Sequence, residues 1–345
     1  MRGTQRHRPK LRIAEVAALA GVSTATVSRA LSAPGKLRSE TLARVAEAVR
    51  RTGYTPNIAA RTLRGRRTML VLVVVPDIAN PFFSDVLRGI DEGLSKHGYG
   101  LLIGNLDNSR LKEPQLADVA LAGQVDGVML LNGRIPQGGR RPLAGAGIPI
   151  VAVCEAIPGA AIPQVEVQNR EAARAAVAHL VALGHRRIAY LAGPPGNILE
   201  HERRAGFCQG LADAGISERQ AGFYAGDFTF RTGVAAAMTF VRQRRRPTAL
   251  FAANDEMAIG FVKTIRSAGI SVPDDISVVG FDGIEFADYV EPTLTTFRQP
   301  RRELGQIGAA LLVQLMTGAA VDPSEVHQRL PVSLLSRGSS GRALR

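Results

Sequence analysis

The stretch Ile13-Ala-Glu-Val-Ala-Ala-Leu-Ala-Gly-Val-Ser-Thr-Ala-Thr-Val-Ser-Arg-Ala-Leu31 decides how the first part of the chain folds. Its apolar residues recur at steps of three and four, which is typical of one face of a helix, and Gly21 allows a turn backbone that a Cβ would disfavour. Ser23 can cap a second helix, in which Val27 and Leu31 face inward one turn apart. The pattern predicts two short helices across a tight turn.

The rest of the first 67 residues extends this helical unit. A third helix is predicted from Ser39 to Gly53, and its inward residues are expected to be Leu42, Val45, Ala46 and Val49. The second helix turns a short polar and methyl-bearing face outward, which suits a helix in the major groove of DNA. Any helical hairpin could carry such a face, so the face alone does not identify a DNA-binding protein. Its members are Thr24, Ala25, Ser28 and Arg29.

The distribution of charge distinguishes a DNA-binding helix from an ordinary helical hairpin. The net charge is +13, and residues 1–67 hold 15 Lys and Arg against three Glu, whereas the remaining chain is nearly balanced at +1. A basic block on a neutral body points to a polyanion such as nucleic acid, while a uniformly basic surface could serve solubility alone.

From Met69 the sequence changes to apolar strands that alternate with amphipathic helices. Met69–Val75 is apolar on both faces, as in a central parallel strand. A second series of strands and helices begins near Val165, and one strand near 329–335 is expected to close the chain. Two such series predict two doubly wound α/β lobes, whose ligands would bind beyond the carboxyl ends of the strands.

Several function classes find no support in the sequence. The N-terminus lacks an apolar signal-peptide core and Met69–Val75 is too short to span a bilayer, so we expect a cytoplasmic protein without a membrane partner. Cys154 and Cys208 have no metal or redox spacing and are expected to be small buried apolar residues. No metalloprotease, P-loop or hydrolase motif occurs, so neither an enzyme nor a cofactor is expected.

The whole chain resembles the lactose/galactose repressor family of transcription regulators. The resemblance rests on several motifs that occur in order and at family spacing. They are Val16-Ala17 with Gly21-Val22-Ser23-x-x-Thr26-Val27-Ser28-Arg29-x-Leu31, Gly53-Tyr54-x-Pro56-Asn57, Ala60-Arg61-x-Leu63, Asn80-Pro81-Phe82-Phe83, Gly184-His185-Arg186-Arg187-Ile188, Arg203-x-Ala205-Gly206-Phe207, Asn254-Asp255 and Gly280-Phe281-Asp282.

The resemblance implies an all-α helix-turn-helix head on an α/β, two-lobed, periplasmic-binding-protein-like body with two doubly wound parallel sheets. The implied parts are a basic tail (1–12), the helix-turn-helix domain (13–55), a hinge helix and linker (56–67), and an effector-binding and dimerisation domain (68–345). Within that last domain, lobe 1 takes about 68–167 plus 299–327, and lobe 2 takes about 168–298 plus 328–345.

The resemblance also implies a DNA interface, in which Arg can bond guanine and methyl groups can touch thymine. Leu63 matches the leucine that the family wedges into a minor-groove step, although a core role in the linker is the alternative. The DNA-contacting set is Thr24, Ala25, Thr26, Ser28, Arg29, Asn57, Ala60, Arg61 and Leu63.

A small hydroxylated effector between the lobes is implied as well, either a nucleoside such as cytidine or a sugar. An Arg fork and a carboxylate can hold ring hydroxyls, but Arg203 and Asp282 could equally form a structural ion pair. The aromatic members could be core residues, and Asn254 or Asp255 could cap a helix. The effector set is Phe82, Phe83, Arg203, Phe228, Asn254, Asp255 and Asp282.

The sequence departs from the family pattern where the effector would bind. Gln168 stands where an Asp is expected, and Asn197 and Leu199 replace the Arg and Thr of purine-binding relatives. We therefore expect a homodimeric repressor of double-stranded operator DNA with an effector that its relatives' residues do not specify. A solute-binding protein, or a sugar- or nucleoside-processing protein with an accessory nucleic-acid-binding head, is the alternative.

Overall fold

The computed structural model describes residues 13–32, 35, 37–54, 67–138 and 142–343. They form two compact units, one that ends at Thr68 and one that starts at Met69. The predicted tail and residues 56–66 of the predicted hinge and linker, and with them Asn57, Ala60, Arg61 and Leu63, lie outside the described residues.

The first unit contains three described helices around a small apolar core. They are α1 (Ile13–Ala20), α2 (Thr24–Ser32) and α3 (Ser39–Thr52). Two predictions for their ends are confirmed: the Thr26 backbone N–H donates to Ser23 Oγ at 3.1 Å, and Gly53 ends α3 in the left-handed conformation. The inward position predicted for Ala46 is wrong, because Ala48 is buried in its place. The core consists of Val16, Ala17, Ala20, Val27, Val45 and Ala48.

The second unit consists of two six-stranded sheets with helices packed on them, which confirms the predicted doubly wound lobes. All described strand pairs are parallel except the pair of β12 with β10. The strands are β1 (Leu70–Val75), β2 (Gly100–Asn105), β3 (Gly127–Leu130), β4 (Ile150–Val153), β5 (Gln164–Val167), β6 (Ile188–Leu191), β7 (Gly222–Tyr224), β8 (Ala249–Ala252), β9 (Ser277–Asp282), β10 (Thr295–Arg298), β11 (His327–Leu330) and β12 (Ser333–Leu335).

The strand order is β11-β5-β4-β3-β1-β2 in the first sheet and β12-β10-β9-β8-β6-β7 in the second. The chain therefore passes between the lobes three times. The helices are α4 (Phe82–Ser95), α5 (Glu113–Leu121), α6 (Asn169–Ala182), α7 (Ile198–Asp213), α8 (Phe230–Val241), α9 (Asp255–Ser267) and α10 (Arg301–Thr317).

Two predictions for the body need correction. The single strand expected near 329–335 is two strands, since β11 pairs with β5 of the first sheet and β12 pairs with β10 of the second. His327–Leu330 therefore belongs to the first sheet, so the expectation that 328–345 lies in lobe 2 is wrong for residues 328–330. Cys154 is buried as predicted, but Cys208 is only half-buried.

A buried histidine holds the C-terminal segment against the second lobe. His185 Nδ1 lies 3.0 Å from Thr248 Oγ1, and its Nε2 lies 3.1 Å from the Gly341 carbonyl oxygen. A carbonyl can only accept, so Nε2 carries the proton and Nδ1 accepts from the threonine hydroxyl. Burial lowers the pKa of His185, which keeps the ring neutral.

The lowered pKa of His185 predicts that part of the free energy of unfolding depends on pH. The unfolded chain protonates His185 near its ordinary pKa of about 6.5, while the folded chain does so only at lower pH, so the stabilisation is complete above about 6.5 and is lost as the pH falls below it. In urea denaturation, the excess stability of the wild type over His185→Gln should shrink between about pH 7.5 and 5.5. A constant difference would show that His185 does not titrate differently on unfolding.

Candidate functional site

The second helix presents the predicted DNA-reading face to solvent. Thr24, Ala25 and Arg29 are exposed, whereas Thr26 and Ser28 are half-buried. The Thr26 hydroxyl lies 2.9 Å from Ser23 Oγ and so takes part in the helix cap. The five predicted residues thus extend from the first turn of α2 to its last, and Thr24, Ala25 and Arg29 are the three that are fully exposed.

An arginine that sequence reasoning missed braces the turn before this helix. Arg44 of α3 donates from Nη2 to the carbonyl oxygens of Ala20 and Gly21, at 2.5 and 3.1 Å. These carbonyls lie at the C-terminal end of α1, where no intrahelical donor remains. Gly21 has φ +63°, and a Cβ on it would lie 2.6 Å from Arg44 Nη2. The glycine and the arginine together fix the angle at which α2 leaves the turn.

In the body, Arg203 lies at the centre of the predicted effector residues. Its side chain is 2% exposed. Nε donates to Asn169 Oδ1 at 2.9 Å and Nη1 donates to the Ala253 carbonyl oxygen at 2.5 Å. The guanidinium also lies 3.9 Å from the centroid of the Phe281 ring, a cation–π contact. Arg203 is thus held in one orientation by three separate elements.

Asp282, at the end of β9, is the acidic partner of this arginine. Its Oδ1 lies 3.7 Å from Arg203 Nη1 and accepts a 2.7 Å hydrogen bond from Gln299 Nε2. Burial raises the pKa of Asp282 to about 6, and the positive charge of Arg203 works against that rise. The residue has φ +113°, a conformation that costs a non-glycine residue energy and that is found mainly at functional sites.

Asn254 and Asp255 follow β8 and have different roles. Asn254 caps α9, since its Oδ1 accepts from the Met257 backbone N–H at 3.0 Å, and its Nδ2 donates to the Phe228 carbonyl oxygen at 2.8 Å. Asp255 is fully buried and accepts from the Thr296 hydroxyl and the Ile284 backbone N–H. Burial, followed by the charge of Asp282, raises the pKa of Asp255. Asp255 thus connects α9 to the strand ends that position Asp282.

The predicted aromatic residues divide between the two lobes. Phe228 is half-buried with φ +70°, and its ring centroid lies 5.9 Å from Arg203 Cζ. Phe82 and Phe83, at the start of α4 in the first lobe, are only 7% and 6% exposed and pack edge to face with each other. The structure therefore brings Phe228 to Arg203, and it places Phe82 and Phe83 in the apolar core of the first lobe.

A hydrogen bond joins the two lobes beside Arg203. Glu155 follows β4 of the first lobe and accepts from Asn197 Nδ2 of the second lobe at 3.1 Å. Burial raises the pKa of Glu155 to about 7, while the bond from Asn197 and the charge of Arg203 lower it. Asn197 also caps α7 through its Oδ1, so a departure from the family pattern has a structural role here.

Sequence reasoning missed Glu155, Asn169 and Gln299, which bond Asn197, Arg203 and Asp282 at this site. All three residues follow a strand of the two sheets. Position after a strand was therefore a usable signal, but it also marks residues of turns and caps, which do not contact a ligand.

Two further observations bear on function classes. Within the described ranges, no group of three His, Cys, Asp or Glu side chains is arranged to hold a metal ion. No helix in the same part of the chain combines the length and the apolar character that crossing a membrane requires.

Two parts of the chain match known protein families. Residues 12–57 match bacterial regulatory proteins of the lacI family, and residues 177–340 match a periplasmic binding protein-like domain. The HTH-type transcriptional repressor CytR of Escherichia coli K12 is 38% identical over 330 residues, which cover 96% of each chain. Catabolite control protein A of Priestia megaterium is 32% identical over 316 residues, which cover 91% of this chain and 95% of that protein.

Solved structures of similar regulators have the same fold as this chain. The Lac repressor dimer bound to operator and the anti-inducer ONPF superposes with a TM-score of 0.82 at 29% identity, covering 96% of this chain and 99% of that one. The complex of the transcriptional regulator CelR with cellobiose gives a TM-score of 0.72 at 32% identity, covering 96% of this chain and 100% of that one. The chain belongs to the lacI family of bacterial regulatory proteins.

Proposed function

We propose that this protein is a dimeric, sequence-specific repressor that releases or gains operator DNA when a small hydroxylated effector binds between its two lobes. The observation that carries the proposal is the exposed face of α2, where Thr24, Ala25 and Arg29 stand clear of the core in a head with +12 net charge. A capped, exposed and basic helix of this kind fits the major groove, where side chains read base edges.

The proposed DNA interface has a reading part and a positioning part. Arg29 is the residue suited to guanine, and Thr24 and Ala25 offer methyl groups to thymine. We assign phosphate contacts, which fix register without reading sequence, to Thr26 and Ser28. Asn57, Ala60, Arg61 and Leu63, outside the described residues, remain in the proposal as the hinge that contacts the minor groove.

The proposed effector site lies at the carboxyl ends of both sheets. Arg203 and Asp282 are suited to ring hydroxyls, Asn254 orients Phe228 beside them, and Asp255 holds the strand ends in place. Phe82 and Phe83 would support the first-lobe wall of the site from within the core. The bond between Glu155 and Asn197 joins the lobes in this arrangement. An effector that binds one lobe arrangement more tightly than the other would shift the protein toward that arrangement.

The relatives support a regulator rather than the alternatives. Their printed names are those of transcriptional repressors and regulators, so we propose that the chain controls transcription in the cytoplasm and catalyses no reaction. A solute-binding protein would have no use for a helical head with +12 net charge. Hydrolysis or phosphorolysis of nucleosides by the purified protein would instead favour the processing alternative.

Arg29→Ala tests the reading part of the interface. We expect binding to DNA from the gene's own upstream region to weaken by about 1–3 kcal/mol, since one bidentate base contact is lost, while binding to a scrambled duplex changes little. Fluorescence anisotropy at two salt concentrations measures both affinities.

Arg51→Ala is the matched control, because it removes the same charge from the exposed end of α3. A phosphate contact or a distant charge would weaken both duplexes alike and reduce the salt dependence. Equal losses for both duplexes in Arg29→Ala would therefore contradict base reading by this residue. Saturable binding to neither duplex would contradict the proposed function itself.

A further inference from the structure

Exposed arginines lie together where three strands of the second lobe begin. Arg187 directly precedes β6, Arg219 lies shortly before β7, and Arg244 and Arg245 lie shortly before β8. The strands β8, β6 and β7 are neighbours in the sheet and run parallel, so the residues before them lie at the same edge. This arginine edge consists of Arg187, Arg219, Arg242, Arg244, Arg245 and Arg342.

Hydrogen bonds show that the segments carrying these arginines adjoin one another. The Thr248 backbone N–H, directly before β8, donates to the Arg187 carbonyl oxygen at 2.8 Å. His185 contacts both Thr248 Oγ1 and the Gly341 carbonyl oxygen, and Arg342 follows Gly341 in the chain. The turns before β6 and β8 and the C-terminal segment therefore form one surface.

In the described part of the chain, the six arginine side chains have no bonded partner. All six are exposed, and none forms an ion pair or a hydrogen bond there. Cations often stabilise the C-terminal ends of helices, but other arginines already do so here. Arg186 donates to the Ala214 carbonyl oxygen after α7 at 2.8 Å. Arg246 donates to the Val241 carbonyl oxygen of α8 at 2.6 Å. Stabilisation of helix ends therefore does not account for the arginine edge.

The positive charge of this edge is local, since the chain after residue 67 has a net charge of only +1. Three exposed acids, Glu218, Asp274 and Asp275, lie before β7 and β9 at the same end of the sheet. The six arginines outnumber them two to one. A surface with such an excess of one charge attracts partners of the opposite charge, here polyanions.

The composition of this surface favours one class of polyanion. A protein partner usually needs an apolar or aromatic anchor, and stable membrane attachment needs an apolar face or a lipid besides charge. Single-stranded nucleic acid binds largely by stacking on aromatic rings. None of the exposed large apolar or aromatic side chains of the described ranges lies in 184–187, 214–221, 242–248 or 338–343. Duplex DNA needs only cations, since it presents a phosphate charge about every 1.7 Å of its axis.

We propose that the arginine edge binds the phosphate backbone of duplex DNA without reading its sequence, as a second DNA contact besides the helical head. Guanidinium groups suit this role because they can pair with two phosphate oxygens at once. A protein whose head holds one duplex would then capture another through its body. The contact would be weaker than operator binding and would depend steeply on salt.

Capture of a second duplex by the full-length protein tests this inference. The protein is loaded with one equivalent per dimer of upstream duplex that carries one dye, and a scrambled duplex with a second dye is then titrated in at about 50 mM salt. Co-migration of both dyes measures the ternary complex. We expect this complex to form, and its affinity for the scrambled duplex to fall as salt is added.

A triple variant connects the capture to the arginine edge. Arg187→Ala, Arg244→Ala and Arg245→Ala together remove three charges and no bonded contact of the described residues. The affinity of the loaded protein for the scrambled duplex should fall roughly tenfold. The slope of log affinity against log salt should become shallower by about 2–3, because each phosphate contact contributes about 0.9.

The matched control removes three exposed charges from other parts of the body. It combines Arg88→Ala, Arg110→Ala and Arg204→Ala. A general effect of net charge would change the control and the triple variant alike, whereas a contact at the arginine edge should leave the control close to the wild type. Upstream DNA binding by the head should be the same in both.

Absence of the ternary complex, or equal affinities in the triple variant and the control, would overturn the inference. Retention of phosphatidylserine vesicles or polyglutamate without capture of duplex would overturn it too, because the partner would then be a membrane or an acidic protein. Failure of the upstream duplex to bind specifically would count against the proposed function alone. In that case, the affinities of the two variants for the scrambled duplex, measured without upstream DNA, still decide this inference.

Discussion

Replacement of Arg203 by alanine should lower the free energy of unfolding of the body by about 3–5 kcal/mol, because it leaves Asp282 buried without its cation and removes two hydrogen-bond donors from the core. Asn169 Oδ1 and the Ala253 carbonyl oxygen would lose their partners, and the packing over the Phe281 ring would be lost. Urea denaturation followed by far-UV circular dichroism measures this change.

Arg204→Ala is the control on the same helix. Arg204 is exposed, and its guanidinium lies 4.9 Å from the centroid of the Phe223 ring. We expect a loss of only about 0.5–1 kcal/mol for this variant, as for other exposed cation–π contacts. A loss below about 1 kcal/mol in Arg203→Ala would show that the raised pKa of Asp282 lets the carboxyl take up a proton and remain buried without an ion pair.

Replacement of Gly89 by alanine should destabilise the first lobe by about 3 kcal/mol. A Cβ at this position would lie 2.0 Å from the backbone oxygen of Arg302, and a Cβ on Gly305 would lie 2.2 Å from the backbone oxygen of Val86. The two helices, α4 and α10, therefore touch backbone to backbone, and a methyl group can be accommodated only if they move apart. Overpacking of this kind typically costs about 1–3 kcal/mol, and here the obstacle is backbone.

Ser95→Ala provides the comparison on α4, since Ser95 is exposed at the far end of the same helix. Surface changes of this kind usually stay within about 0.5 kcal/mol. Thermal unfolding of both variants measures the difference. Equal melting temperatures for Gly89→Ala and Ser95→Ala would mean that the helices separate at no cost.

The periodicity of apolar residues predicted the fold well, because a buried face of a helix or strand requires apolar residues at a regular spacing. Met69–Val75 is apolar on both faces because β1 is covered on both, and α2 starts after Ser23 because its hydroxyl accepts a backbone hydrogen bond. Ala46 was misplaced because alanine is small enough to fit either face of α3. The division of 329–335 into β11 and β12 could not be predicted, since pairing partners far away in sequence decide it.

The candidate site was predicted less completely than the fold. Arg203, Asp282, Asn254 and Phe228 were predicted, and the structure brings them together, but their role toward a ligand stays a prediction. Family resemblance alone did not point to Glu155 or Gln299, whose hydrogen bonds with Asn197 and Asp282 are seen only in the folded structure. A hydrogen bond between two lobes depends on how they close, and no local pattern in one sequence encodes that.

The position of β11 and β12 has a consequence for biosynthesis. Each is an edge strand, one in either sheet, and both come from the last residues of the described chain. Chains emerge from the ribosome N-terminus first, so β5 and β10 stay unpaired along one side until residues 327–335 have emerged. Neither lobe can complete its sheet ahead of the other. A message truncated before residue 327 would therefore yield two incomplete sheets with open edges, a form prone to aggregation and to proteolysis.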